Sequence, residues 1–328
     1  MKRVVINALD GINALEIEEQ APLPEPGPGE VRLRVGAAGL GFVDGLLISG
    51  KYQWKPPLPF VPGGEIAGTV DAVGDGVASW MPGQKAAAWL MGGGLADYCV
   101  VPSASLVAVP EGLSAATAAS VLLDYATADY ALNVRGALRT GETVFVLGAN
   151  GGVGGAAMAI AKAEGARVIA GVSGAERREL AMARGAHATV DLSQADWRAQ
   201  LRTVLDGAAP DLVVDPLGGD YTEPAFRSLA KDGRHLVVGF AAGGIPALPV
   251  NLALLKNAAL VGVDVRHFAE GDSANFRSRL SHLLRRCESG ELPAPPMASY
   301  PLSRTKDAFL ALSRRGRDGK LVVMPDGA

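Results

Sequence analysis

Between positions 144 and 155 the chain reads Val-Phe-Val-Leu-Gly-Ala-Asn-Gly-Gly-Val-Gly-Gly, an apolar run that breaks into five glycines within eight residues. Gly148, Ala149, Gly151, Gly152, Val153 and Gly154 suit a strand that turns sharply into a helix. Such a turn lets backbone N–H groups approach a pyrophosphate and sets the positive end of a helix dipole against it. A ligand-free strand-to-helix turn uses the same residue types, so the glycines alone leave both readings open. Their position at the first strand of a βα array favours a dinucleotide.

An Asp or Glu at the end of the next strand, about 20 residues further on, would hold the ribose diol of NAD. The segment there is Val168-Ile169-Ala170-Gly171-Val172-Ser173-Gly174, with no acid before Glu176 and with Arg177 and Arg178 following. Cations at a helix start oppose the dipole unless an anion is bound, so Ser173 and Arg177 are expected to hold a 2′-phosphate, which points to NADP(H). The competing reading is a solvated helix face on which Glu176 and Glu179 offset the arginines. Metal chemistry is disfavoured by the residue types. No His precedes His187, and Cys99 is followed only by Cys287, whereas a catalytic zinc takes about three protein ligands and a structural zinc about four. The two cysteines are read as small buried hydrophobes, and His187, His235, His267 and His282 as structural or surface residues.

The elements that must position these residues follow from periodicity. From about 142 to 265 short apolar runs alternate with helical patterns, the signature of βαβ units and a parallel sheet. Strands are expected at 143–147, 167–172, 188–190, 211–215, 235–239 and 260–265, with helices at 153–164, 175–184, 194–205 and 221–231. The first 110 or so residues carry short strands and turn signals such as Pro26-Gly27-Pro28-Gly29. After about 270 come helices at 273–288 and 304–314 and a last strand at 320–324. A length of 328 residues suggests about two domains. The 34 acids and 31 bases are scattered, which argues against a nucleic-acid partner. The uncharged stretches 144–161 and 236–255 are broken by Gly and Pro and do not read as membrane spans. Two cysteines make no disulfide framework and the N-terminal apolar stretch is short, so a cytoplasmic protein is expected.

The segment Gly63-Gly64-Glu65-Ile66-Ala67-Gly68-Thr69-Val70-Asp71-Ala72-Val73-Gly74 resembles the G-H-E-x-x-G-x(5)-G pattern of the medium-chain dehydrogenase/reductase superfamily. Gly50-Lys51-Tyr52, Pro57 to Gly63, Thr127-Ala128, the Gly148 turn, Asp215-Pro216-Leu217-Gly218-Gly219 and Gly239-Phe240-Ala241 fall in the order of its zinc-free quinone oxidoreductase branch. The resemblance covers essentially the whole chain. It implies an α/β protein with a GroES-like β-rich catalytic domain (1–122 and 267–328) and a Rossmann domain (123–266) built on a doubly wound, six-stranded parallel sheet. It also implies NADP(H), with Thr127, Gly239 and Phe240 bordering the nicotinamide, the Gly148 to Gly154 turn on the pyrophosphate, and Arg315 joining Ser173 and Arg177 at the 2′-phosphate. Gly41, Tyr52 and Phe240 would line the substrate pocket. Tyr52 is the candidate proton donor, with a cleft-wall aromatic as the alternative, and Asp44 is read as structural.

The departures carry information too. Gly64 stands where zinc relatives have His, and Gly41 where they have Cys and the zinc-free branch has Asn. Ala159 replaces a common Gln, and Asp191-Leu192 a Tyr that serves the 2′-phosphate. Without a metal to polarise an alcohol, a quinone or an activated alkene is the expected small-molecule substrate. An enoyl or acryloyl thioester is the alternative, with Arg266, Arg277 and Arg279 as candidates for a CoA phosphate, and a non-catalytic NADPH-binding protein is a third reading. A homodimer is expected through the sheet edge between Leu260 and Val265.

Overall fold

The computed structural model describes residues 1–314 and 319–327. Arg315, expected to reach the cofactor phosphate, lies outside the described residues. The chain begins with β1 (Arg3–Ile6), β2 (Leu15–Glu18), β3 (Glu30–Leu40), α1 (Phe42–Ile48), β4 (Glu65–Val73), β5 (Lys85–Trp89), β6 (Tyr98–Pro102), β7 (Val107–Ala108) and α2 (Ala115–Asp129). There follow β8 (Thr143–Leu147), α3 (Gly152–Ala163), β9 (Arg167–Val172), α4 (Ala175–Ala183), β10 (Ala188–Asp191), α5 (Trp197–Val204), β11 (Leu212–Asp215), α6 (Thr222–Ser228), β12 (Arg234–Val237), α7 (Asn251–Lys256), β13 (Ala259–Gly262) and α8 (Val265–Gly271). The chain closes with α9 (Ser273–Glu288), β14 (Met297–Pro301), α10 (Thr305–Ser313) and β15 (Lys320–Met324). These elements form two compact units, Met1–Leu123 with Ala269–Ala328, and Asp124–Phe268.

The first unit is built on a seven-stranded sheet in the order β14-β15-β3-β4-β5-β7, with β6 also paired to β3. In β3 the alternation is clean: Val31, Leu33 and Val35 point into a core shared with Ile66, Val70 and Val101, while Arg32 reaches out to the Asp71 carboxylate. A second core joins the far end of β3 to the C-terminal elements, Leu40 and Ile48 packing with Phe309, Leu321 and Val323.

The second unit is a parallel sheet in the order β10-β9-β8-β11-β12-β13. The middle of its sheet is mostly apolar; Val144, Phe145, Val146 and Leu147 have no exposed surface. Phe145 stacks on Trp197 of α5 and shares a core with Phe226 of α6. The strand order reverses at β8, which places the end of β8 at the topological switch point, where α/β sheets bind ligands.

Some boundaries differ from the sequence expectation for local reasons. The strand expected to run to Gly239 ends at Val237, because the N–H groups of Val238 and Gly239 both turn onto the Asp215 carbonyl. The strand expected from Leu260 to Val265 ends at Gly262, because Asp264 accepts from the N–H of His267 and so starts α8. Among the described residues no helix is long and apolar enough to cross a membrane.

Candidate active site

The glycine-rich segment forms the turn its residue types suggest. Gly148 leaves β8 at φ +62°, a region only glycine enters without strain, and the Gly151 N–H closes onto the Gly148 carbonyl at 2.9 Å. Gly151 caps α3 in an extended conformation. Gly154 packs so closely on the Gly148 carbonyl that a Cβ there would collide with it, while Ala149 is buried and donates its N–H to Gly171. Gly152 and Val153 open α3 directly after the turn, and a Cβ at Gly152 would collide with the Asp124 carboxylate; a side-chain-free turn that leads into a helix start suits a pyrophosphate. The Asp124 carboxylate of α2 abuts Gly152. Asn150 donates its side-chain N–H to the Arg177 carbonyl at 2.7 Å, which ties the turn to α4.

At the end of β9 lies the expected adenosine edge. Gly174, at φ +88°, opens α4 directly after Ser173, and Arg177 is exposed one turn on. Sequence reasoning noted Asp191 only for the residue it replaces. The structure brings its carboxylate from β10 to the Ser173–Gly174 turn, where Oδ1 accepts from the Gly174 N–H at 3.1 Å and from the Ser193 hydroxyl at 2.6 Å. The Ser193 hydroxyl and the backbone N–H groups of Gly174 and Ser193 hold this carboxyl below its ordinary value, so it is charged at neutral pH. Arg178 approaches it to 4.0 Å. The sheet order contained the signal, since β10 is the neighbour of β9 and the ends of both strands meet the same edge.

Gly239 and Phe240 follow β12, with Phe240 39% exposed. Gly218 packs against Phe240, 2.7 Å separating the phenyl Cδ1 from the position a Gly218 Cβ would take. Thr127 is buried on α2, three residues after Asp124 and therefore on the same helix face.

Gly41 and Tyr52 belong to the first unit, as Thr127, Gly239 and Phe240 belong to the second. Gly41 is buried and caps α1, its N–H donating to Asp44 Oδ2 at 2.8 Å. Its missing side chain points at three charges: a Cβ would stand 3.4 Å from Glu65 Oε1, 3.7 Å from Lys320 Nζ and 3.8 Å from Asp44 Oδ2. Lys320 pairs with Glu65 at 2.5 Å, both fully buried, and Glu65 Oε2 accepts the Leu123 N–H at 3.0 Å. Burial pushes the Asp44 carboxyl up, against the pull of the Gly41 N–H, the Lys320 ammonium and the N–H groups of Gly63 and Gly64. A Cβ at Gly64 would overlap the Leu90 carbonyl, so a larger side chain has no room there. Two carboxylates around an ammonium are not the N and S donor set of a catalytic zinc, and among the described residues no group of three or more His, Cys, Asp or Glu could hold a metal ion. Tyr52 is half-buried in the loop after α1. Arg266 lies on α8, 3.9 Å from Asp264, and Arg277 and Arg279 lie on α9; Arg277 donates to the Ser273 carbonyl of its own helix.

Residues 27–111 match the alcohol dehydrogenase GroES-like domain and residues 152–284 the zinc-binding dehydrogenase family. Quinone oxidoreductase-like protein 2 of Rattus norvegicus is 36% identical over 94% of this chain and 88% of its own length. A mycobacterial protein solved in complex with NADPH is 30% identical and superposes with a TM-score of 0.90 over 99% of this chain and 100% of that one. A solved NAD-dependent alcohol dehydrogenase is 32% identical, with a TM-score of 0.89 over 99% of each chain.

Proposed function

The chain belongs to the quinone oxidoreductase branch of the medium-chain dehydrogenase/reductase superfamily, and from that premise we propose that it transfers a hydride from NADPH to a quinone or an enone without a metal. The observation that carries this reading is the backbone cradle at Gly148 to Gly154, at the switch point of a parallel sheet, in a chain whose Gly41 region offers an ammonium where zinc relatives hold a metal. The bound cofactor supplies the hydride from its nicotinamide. The residues of this chain do the rest. The turn and Val153 hold the pyrophosphate. Ser173 and Arg177 receive the 2′-phosphate, and Asp191, balanced by Arg178, orders the Ser173–Gly174 turn. Thr127, Gly239 and Phe240 border the nicotinamide face and exclude water from it. In the first unit, Gly41 and Tyr52 border the substrate, and the Tyr52 phenol supplies the proton.

The preference for NADPH is supported by Ser173 and Arg177 and by the relative solved with NADPH; Asp191 and the relative named for NAD pull the other way. Zinc independence is supported by the Glu65–Lys320–Asp44 cluster. A quinone or enone is favoured over an alcohol because its own carbonyl accepts the charge that hydride addition develops, so no Lewis acid is needed. A cytoplasmic homodimer completes the reading. Its support is β13, which among the described residues pairs only with β12 and ends the sheet, and the exposure of Leu260 within it and of Ile245, Val250, Leu254 and Leu255 in the segment before it.

The test is NADPH oxidation against 1,4-benzoquinone, 9,10-phenanthrenequinone, 2-cyclohexenone and crotonyl-CoA. Turnover of a quinone or of cyclohexenone is expected, with crotonyl-CoA poor. Preferential turnover of crotonyl-CoA would replace this reading with the thioester one. Tight NADPH binding with no turnover of any of the four would leave a nucleotide-binding protein.

A further inference from the structure

Asp215 ends β11, beside the switch point, and its buried carboxylate carries four donors. Oδ1 accepts from the N–H groups of Leu217 at 3.0 Å and Gly218 at 2.8 Å, and Oδ2 from the Thr222 hydroxyl at 2.7 Å and from His235 Nε2 at 2.9 Å. Burial alone would raise this carboxyl, but His235, Thr222 and the Gly218 N–H hold it below the ordinary value, so these are bonds to a charged acceptor.

His235 is an expensive residue for its place. It comes from β12, has no exposed surface, lies 5.9 Å from the Phe226 ring, and its Nδ1 has no hydrogen-bond partner. An aliphatic side chain would fill the same space without a stranded nitrogen. The return must lie in what the bonded nitrogen holds.

What it holds is the 216–219 turn. Gly218 and Gly219 adopt φ +66° and +58°, and the turn touches the expected cofactor site on two sides. The Leu217 side chain packs under Gly148, 2.9 Å from the position a Cβ would take. On the other side the turn binds the segment that carries Phe240: Ala241 donates to the Pro216 carbonyl at 3.1 Å, Ala242 to the Leu217 carbonyl at 2.8 Å, and Gly219 to the Gly244 carbonyl at 2.9 Å. One carboxylate orientation therefore sets both the start of the pyrophosphate cradle and the nicotinamide border. Without the histidine, Oδ2 keeps only the Thr222 hydroxyl, and the carboxylate can rotate away from the two turn N–H groups.

We propose that His235 is a positioning residue for the nicotinamide half of the cofactor site, acting through Asp215 and the 216–219 turn, and that the adenosine half at Ser173 and Arg177 does not depend on it. The inference rests on the dinucleotide reading above. Three variants separate it from a general core role: His235→Leu removes the donor, His235→Gln keeps one, and Leu217→Ala leaves the buried pair intact and removes the contact with Gly148. Dissociation constants for NADPH and for adenosine 2′-monophosphate, which has no phosphate to place on the Gly148 turn, are measured alongside melting temperature. His235→Leu and Leu217→Ala are expected to weaken NADPH about tenfold, roughly 1.4 kcal/mol, with adenosine 2′-monophosphate unchanged and His235→Gln within about threefold of wild type. NADPH binding at the wild-type level in His235→Leu or Leu217→Ala would overturn the inference. So would equal losses for the two ligands in step with the melting temperature; the dinucleotide reading would survive both results. If His235→Leu does not fold, Leu217→Ala and His235→Gln decide the matter. A wild-type protein that binds neither NADPH nor NADH would remove the dinucleotide reading and this inference together.

Discussion

In the proposed site single residues would decide cofactor choice. Arg177 is exposed one turn after Ser173, so reversing its charge would act on a 2′-phosphate and scarcely on a ribose hydroxyl. Arg177→Glu is expected to raise the NADPH dissociation constant about tenfold or more and that of NADH less than about threefold; equal effects would contradict the phosphate assignment. In Gly154→Ala the new methyl meets the Gly148 carbonyl, so the turn cannot close, and NADPH binding measured by titration is expected to fall at least about tenfold. Asp215 gives a pH signature. A carboxylate held below its ordinary value of 3.8 adds stability that is full above that value, declines below it, and is gone once the pH passes under the folded-state value. Melts of Asp215→Asn against wild type are expected to show their full gap at neutral pH and a closing gap below about pH 4. At this scale the sequence was readable where chemistry follows from residue type in a short window, as in the 148–154 glycines. Glu65 and Lys320 were not readable as a pair, because 255 residues separate two side chains that meet only after folding.

Elements were readable in proportion to how local their stabilisation is. In the second unit most strands are short apolar runs with a helix after them, and β8, β9 and α9 span the residues the periodicity indicates. The errors sit at ends where a tertiary contact intervenes, as when the Asp215 carbonyl draws Val238 and Gly239 out of β12. In the first unit β3 pairs with β4, with β6 and with β15, partners drawn from residues 65–73, 98–102 and 320–324, and no short window of sequence contains such a sheet. The continuous core of β8 makes a stability prediction. Phe145 is fully buried, stacked on Trp197 in a core that also holds Phe226, so Phe145→Ala is expected to cost about 3–5 kcal/mol in denaturant unfolding, and a cost under about 1 kcal/mol would mean that the second unit is not organised around this core.

At the scale of the whole molecule, the proposed dimer through β13 would cover an unpaired strand edge, because two antiparallel copies of the same edge are self-complementary. Sedimentation is expected to give twice the 33.7 kDa chain mass, and Leu260→Lys, which puts a charge on that edge, is expected to give the single chain. Composition also acquires a chemical meaning at this scale. The scarcity of Cys and His leaves the Gly41 region with Asp44, Glu65 and Lys320, and the glycines gather at a turn that can accept a dinucleotide. Hydride transfer with a nicotinamide cofactor and no metal is the chemistry proposed for this chain. NADPH oxidation with 1,4-benzoquinone, followed before and after exhaustive treatment with a zinc chelator, decides whether it holds. Turnover at an unchanged rate is the predicted result; activity that disappears with the chelator and returns with zinc would contradict it.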